Sequence, residues 1–156
     1  MRALFVALLL AICSPVFAQE PNSLIGNWKL VSFQTIVDNE TPQDLYGSQP
    51  KGFLILTREG RMTGIVTADN RKGGMSDAER ATLHKTLIAY SGRYRIEGGD
   101  FITTVDASWN ESWNGTEQRR RYRIEGDKLF IEAAPQPSPV FPGKSSFGRL
   151  VWEREK

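Results

Sequence analysis

The chain has 156 residues, of which 40% are hydrophobic and 24% are charged. This length and apolar content suit a single globular domain with one core and leave little room for a second domain. The net charge of +2 argues against nucleic acid as a partner, because phosphate binding needs a concentrated excess of Lys and Arg on one face.

The N-terminal segment differs in composition from the rest of the chain. Met1 and Arg2 precede an apolar run, residues 3–12, that is too short to span a bilayer. Ser14-Pro15 and small residues up to Ala18 follow. The pattern predicts a secretory signal peptide over residues 1–18 and one domain over residues 19–156, exported to the periplasm or secreted.

A lipoprotein signal is the alternative, because Cys13 stands where a lipid can be attached. Ile12 disfavours it, since lipoprotein cleavage requires a small residue before the cysteine. Cleavage after Ala18 leaves a domain with no cysteine, no disulfide and no membrane span.

Strand patterns fill most of the remaining chain, and one helix interrupts them. The eight predicted strands are residues 26–37, 52–57, 61–68, 92–97, 100–109, 116–125, 128–134 and 146–155. A helix is predicted over residues 75–90, between the third and fourth strands. Ser76 and Glu79 form a capping box, and Leu83, Leu87 and Tyr90 recur at helical spacing.

Three short Gly-containing loops join neighbouring strands: Glu59-Gly60, Gly98-Gly99 and Gly126-Asp127. Such pairs are typical of two-residue hairpin loops between antiparallel strands. A meander of about eight strands closes into a barrel that has no free edge. We therefore predict an all-β, eight-stranded antiparallel up-and-down barrel with one inserted helix.

Hairpin register predicts which side chains face inwards. The two residues that flank a two-residue loop pair with each other; here they are charged, so the next residues face the interior. The predicted lining of a ligand cavity consists of Phe53, Ile55, Met62, Val66, Phe101, Thr103, Val105, Leu129 and Ile131.

The same alternation directs Arg120 and Gln118 inwards, together with Tyr122 and, from another strand, Tyr94. A guanidinium inside a barrel is costly to desolvate unless its hydrogen bonds are accepted. We interpret Arg120 as the partner of an anionic head group such as a ligand carboxylate.

Alternatively, Arg120 lies near an open rim, where it is hydrated or paired with Glu111 or Glu117. The nearby Trp109 and Trp113 either form an aromatic lip for ligand entry or pack the end of the barrel.

Several segments resemble the lipocalin-like domain family of the calycin superfamily. Gly26-Asn27-Trp28 matches the Gly-x-Trp signature of the first strand, and the segments PKGFLILTREGRM, AYSGRYRIEGG, WNGTEQRRRYRIEGDKL and LVWERE follow in order. The resemblance covers most of residues 25–154. It implies a barrel around a cavity for small apolar molecules, with Trp28 closing one end and Arg154 or Arg149 packed over it.

Residues for other chemistry are scarce. The chain has one His and one Cys, so no metal site or cofactor is predicted, and His84 is interpreted as a surface residue. The leading hypothesis is an exported protein that binds a small hydrophobic ligand, with or without a carboxylate. One alternative is a cofactor-free isomerase or cyclase that uses Tyr94, Tyr122 and Arg120. Another is a protein-interaction module anchored by the loop that carries Trp109 and Trp113.

Overall fold

A computed structural model of the chain describes residues 21–38, 40–137 and 141–156. The predicted signal peptide and Cys13 lie outside these residues. The described elements are η1 (Pro21–Leu24), β1 (Gly26–Val37), β2 (Lys51–Leu56), β3 (Arg61–Thr67), α1 (Asp77–Lys85), β4 (Leu87–Glu97), β5 (Asp100–Ser108), η2 (Glu111–Trp113), β6 (Glu117–Glu125), β7 (Lys128–Ala133), β8 (Gln136–Pro137) and β9 (Ser145–Arg154).

The strands form a closed antiparallel barrel. Strands β1 to β7 pair in chain order, β7 pairs with β9, and β9 returns to pair with β1. The two-residue β8 pairs only with the start of β9. Eight strands therefore make the wall, and the predicted fold class is confirmed.

Two hairpins have the predicted register. Glu97 pairs with Asp100 across Gly98-Gly99, and Glu125 pairs with Lys128 across Gly126-Asp127. Gly98 has a φ of 59°, a left-handed conformation that glycine adopts without steric cost. The inward orientation of the flanking strands follows from this register.

The first hairpin differs from the prediction. Thr57 donates its N–H to the carbonyl of Arg61 at 2.9 Å, so the loop has three residues, 58–60, and Gly60 takes a φ of 80°. The extra loop residue reverses the orientation of β2. Phe53 and Ile55 are consequently 45% and 44% exposed on the outer surface, and the prediction that they face inwards is wrong.

In place of those two residues, β2 presents Leu54 and Leu56 to the interior, where each is 2% exposed. On the partner strand β3 the predicted inward residues Met62 and Val66 are buried, as expected from the alternation. The three-residue loop therefore leaves β3 in its predicted orientation and changes only β2.

Helix α1 begins as predicted and ends early. Ser76 is the N-cap, and its side chain and that of Glu79 form the capping box. Residues 87–90 belong to β4 instead, because Leu87 to Tyr90 pair with Thr67 to Gly64 of β3. No residue of α1 is buried. The helices within the described residues are too short or too polar to span a bilayer.

Candidate functional site

One end of the barrel is plugged by Trp28. Its side chain is fully buried, and its indole N–H donates to the carbonyl of Leu24 at 2.9 Å. The Arg154 guanidinium lies 4.1 Å from the centre of the Trp28 ring and donates to the carbonyls of Ile25, at 2.8 Å, and Ser23. The resemblance left two candidates for this position, and the structure places Arg154 there.

The other candidate, Arg149, has a different role in the structure. Its guanidinium donates to the Glu132 carboxylate at 2.6 Å, and both side chains are 41% exposed. This contact links β9 to β7 by a solvent-exposed ion pair.

The opposite end of the barrel, which we call the distal end, carries α1, η2 and residues 109–116. Arg120 of β6 extends towards it. Its Nη2 donates to Gln118 Oε1 and its Nη1 to the carbonyl of Arg119, both at 2.9 Å. Its guanidinium carbon lies 5.8 Å from the centre of the Trp113 ring. The side chain is half-buried, and Arg120 pairs with the buried Phe101 on the neighbouring strand β5.

No carboxylate in the described residues lies within ion-pair distance of Arg120. Glu117 instead accepts from Arg95 at 2.7 Å, and Glu111 accepts from the side-chain amide of Asn114 at 3.0 Å. The two acidic residues proposed as alternative partners are thus engaged elsewhere. Both hydrogen bonds of Arg120 go to neutral oxygens, and the one to the Arg119 carbonyl is exposed to solvent.

Tyr90 completes the cluster around Arg120; it was not among the predicted site residues, because its helical spacing assigned it to the helix. Its ring meets the Trp113 ring edge-on at 5.3 Å, and Trp113 meets Trp109 in the same manner at 4.8 Å. Burial raises the pKa of the Tyr90 phenol, and the Arg120 charge opposes that shift only in part. Extending the strand alternation of GRYRIE back to Ala89-Tyr90 would have identified this residue.

Helix α1 contacts the same end. The exposed His84 donates from Nε2 to the carbonyl of Trp109 at 3.2 Å. Arg71, which precedes the helix, donates to the carbonyl of Leu83 at 2.8 Å. These bonds connect the helix to Trp109 and to Arg71, which lies in the segment between β3 and the helix.

A comparison with known protein families agrees with this architecture. The family model described as a lipocalin-like domain matches residues 25–155. The chain belongs to the lipocalin-like domain family. The solved structure of a lipocalin-like protein from Bacteroides uniformis ATCC 8492 is 13% identical, with a TM-score of 0.46, and the match covers 85% of this chain and 99% of that chain. No curated protein has a significant match to this sequence.

Inside this lipocalin-like barrel, the Tyr94 phenol is directed away from the Arg120 cluster. The Tyr94 phenol donates to the carbonyl of Thr57 at 2.9 Å, next to the first hairpin loop, and its ring stacks on Phe101 at 5.2 Å. Tyr122 lies further along β6 and is half-buried. Burial raises the pKa of both phenols, and for Tyr94 the nearby Glu59 carboxylate adds to the effect. Both therefore remain protonated at neutral pH, unlike a phenolate base.

The apolar interior of the lipocalin-like domain contains most of the predicted lining residues. The predicted lining residues that are buried are Met62, Val66, Phe101, Thr103, Val105, Leu129 and Ile131. Its central hydrophobic cluster includes Trp28, Leu54, Leu56, Leu129 and Trp152.

Proposed function

We propose that this lipocalin-like protein binds a small hydrophobic molecule with an acidic head group, and that it does so within the barrel as an exported protein. The lipocalin-like family supports a binding function in general. The single observation that carries the acidic head group is the half-buried Arg120 guanidinium, whose recorded acceptors are neutral.

A carboxylate is the ligand group that matches this position. The guanidinium provides N–H donors in a planar fork, and a carboxylate accepts two of them in parallel. Trp113 and Tyr90 supply aromatic walls beside the guanidinium. An apolar tail then lies against the buried side chains of β3 and β5, such as Val66 and Val105.

Replacing Arg120 by Leu tests the proposal. Dodecanoate and dodecanol share a chain length and differ in charge, so each is titrated into wild type and Arg120→Leu by calorimetry. A hydrogen bond to a charged group contributes about 1.5–3 kcal/mol. We expect the affinity for dodecanoate to fall roughly 10- to 150-fold and that for dodecanol to stay within about twofold.

Arg121→Leu is the matched control, because Arg121 is adjacent on β6 and exposed on the outer face. It removes the same charge from the protein without touching the interior. Equal losses for acid and alcohol in Arg120→Leu would make Arg120 structural. If neither compound binds the wild-type protein, these amphiphiles are not its ligand class.

Export is tested with the full chain in a bacterial host. We expect the protein in the periplasm or the medium, with a mass that begins at Gln19, because the residues before it have the pattern of a cleaved signal. A membrane-associated product with a lipid on Cys13 would contradict cleavage after Ala18. An intact N-terminus in the cytoplasm would contradict export altogether.

The two alternative functions receive less support. The raised pKa values of Tyr94 and Tyr122 oppose a tyrosinate base, which is the proton acceptor that the isomerase hypothesis requires. Trp109 and Trp113 are half-buried and pack against each other, which favours packing of the barrel end over an exposed anchor for a protein partner.

A further inference from the structure

The Thr103 hydroxyl is a polar group inside the barrel without a partner. Thr103 lies on β5 in the inward register, between the buried Phe101 and Val105, and its exposure is 0%. Its Oγ1 has no hydrogen-bond partner in the described residues. Buried hydroxyls are nearly always hydrogen-bonded, because leaving one unpaired forfeits its interaction with water.

The neighbouring polar groups are occupied. Thr103 pairs with Tyr94 on one side and Gln118 on the other. The Tyr94 phenol donates to Thr57, at 2.9 Å. The Gln118 amide accepts from Arg120 at 2.9 Å and donates to Thr116 Oγ1 at 3.0 Å. These side chains hydrogen-bond elsewhere, and Thr103 Oγ1 is left without a partner among the described residues.

Thr103 is also close to the proposed head-group site. Residues directly opposite each other on antiparallel strands have Cβ atoms about 5 Å apart. Gln118 is directly opposite Thr103, and its side chain binds the Arg120 guanidinium. A ligand carboxylate on Arg120 thus places its first few carbons near the Thr103 hydroxyl.

The methyl group of Thr103 faces β4. A Cβ atom built on Gly92 would lie 2.9 Å from Thr103 Cγ2. The methyl group therefore occupies the side towards Gly92, and the hydroxyl, on a different branch of the same carbon, is directed away from that contact.

We infer that the ligand carries an oxygen substituent, a hydroxyl or keto group, on one of the carbons next to its carboxylate, and that Thr103 binds that oxygen. The inference rests on the proposed binding of an acidic ligand at Arg120. It narrows the ligand class from fatty acids in general to hydroxy or keto acids with the oxygen near the acid group.

The test compares the binding of 3-hydroxydodecanoate and dodecanoate. Each enantiomer of the hydroxy acid is titrated separately into wild type, Thr103→Val and Thr103→Ser. A hydrogen bond between neutral groups contributes about 0.5–1.5 kcal/mol. We therefore expect wild type to bind one enantiomer of the hydroxy acid roughly 2- to 12-fold more tightly than it binds dodecanoate. Thr103→Ser should keep this preference, and Thr103→Val should abolish it.

Trp152→Phe is the matched control. Trp152 is 3% exposed on β9, and its indole Nε1 also lacks a partner in the part of the chain that the structure describes. It pairs with Leu30 and Leu129, away from Gln118. Removing this second unpaired donor should leave the preference for the hydroxy acid intact.

A second readout needs no ligand. If the hydroxyl is unpaired in the free protein, Thr103→Val should raise the urea midpoint, because it removes an unsatisfied buried group of similar shape. A lower midpoint would show that the hydroxyl already has a partner, such as an internal water, and would overturn the inference.

The binding outcomes separate the inference from the proposed function. If wild type binds both acids equally, or if the preference survives in Thr103→Val, the role of Thr103 is wrong and acid binding at Arg120 stands. If neither acid binds, the proposed function and the inference about Thr103 are both wrong.

Discussion

Arg154 and Arg120 both extend from the inner face of the barrel, and they differ in how their charge is stabilised. Arg154 donates to two backbone carbonyls and lies on the Trp28 ring. Groups at the plugged end accept its hydrogen bonds, as expected for a structural residue. Arg120 has one backbone carbonyl, one amide oxygen and a more distant ring. The same residue type is therefore expected to stabilise the fold at one end and to bind a ligand at the other.

Arg154→Leu should therefore destabilise the protein. The change leaves the carbonyls of Ser23 and Ile25 without this donor and removes the cation from the Trp28 ring. We expect the free energy of unfolding in urea to fall by about 1.5–3 kcal/mol, the usual contribution of a hydrogen bond to a charged group.

Arg149→Leu is the control for that experiment, because Arg149 lies on the same strand in an exposed ion pair with Glu132. Exposed pairs contribute about 0–1 kcal/mol, so its effect should be small. Similar losses in the two variants would contradict a special role for Arg154 at the plugged end.

At the level of elements, loop length decided which residues of β2 face inwards. Glu59-Gly60 suits a two-residue loop, and Arg58-Glu59-Gly60 suits a three-residue loop that ends in a left-handed glycine. The chain adopts the second, which buries Leu54 and Leu56 instead of Phe53 and Ile55. In the other two hairpins Glu97 and Glu125 flank the loops as predicted.

The junction between α1 and β4 is another place where the sequence is compatible with two structures. Leu83, Leu87 and Tyr90 have helical spacing, and residues 87–90 also fit a strand. Pairing with β3 provides a ladder of backbone hydrogen bonds and brings Tyr90 into the barrel, whereas α1 itself buries no residue. Tertiary pairing therefore determines where the helix ends.

At the level of the whole molecule, buried tyrosines make stability depend on alkaline pH. Burial raises the pKa of Tyr46 to about 12, against an opposing effect of Arg71, and it also raises the pKa values of Tyr90, Tyr94 and Tyr122. The folded state then holds these protons at a pH where the unfolded chain has begun to release them. Stability is therefore complete below about pH 10 and declines as the pH rises towards the folded-state values.

We expect the urea midpoint to be level between pH 7 and 9 and to fall between pH 10 and 12. Tyr46→Phe should make that decline less steep, because the variant lacks the phenol for which burial raises the pKa to about 12. The measurement is a series of urea titrations of both proteins across this range. An identical decline in the two proteins would show that Tyr46 does not contribute to it.

The sequence by itself determined the barrel, the strand order, the start of α1 and the inward position of Arg120. These depend on local chemistry: turn residues, a capping box, and the two-residue period of strands, which propagates from each loop along its strand. The candidate site was predicted in part by the same route, through Arg120, Gln118 and the buried lining of β3, β5 and β7.

Only the tertiary structure decided the rest of the site. Tyr90, Trp113 and Arg120 come from β4, η2 and β6, and their contacts depend on the tilt and closure of the barrel. Tyr94 has the predicted inward position, but its phenol is directed to Thr57 at the opposite end. Alternation along a strand determines the face on which a side chain lies, and packing between distant segments determines which of the groups on that face meet.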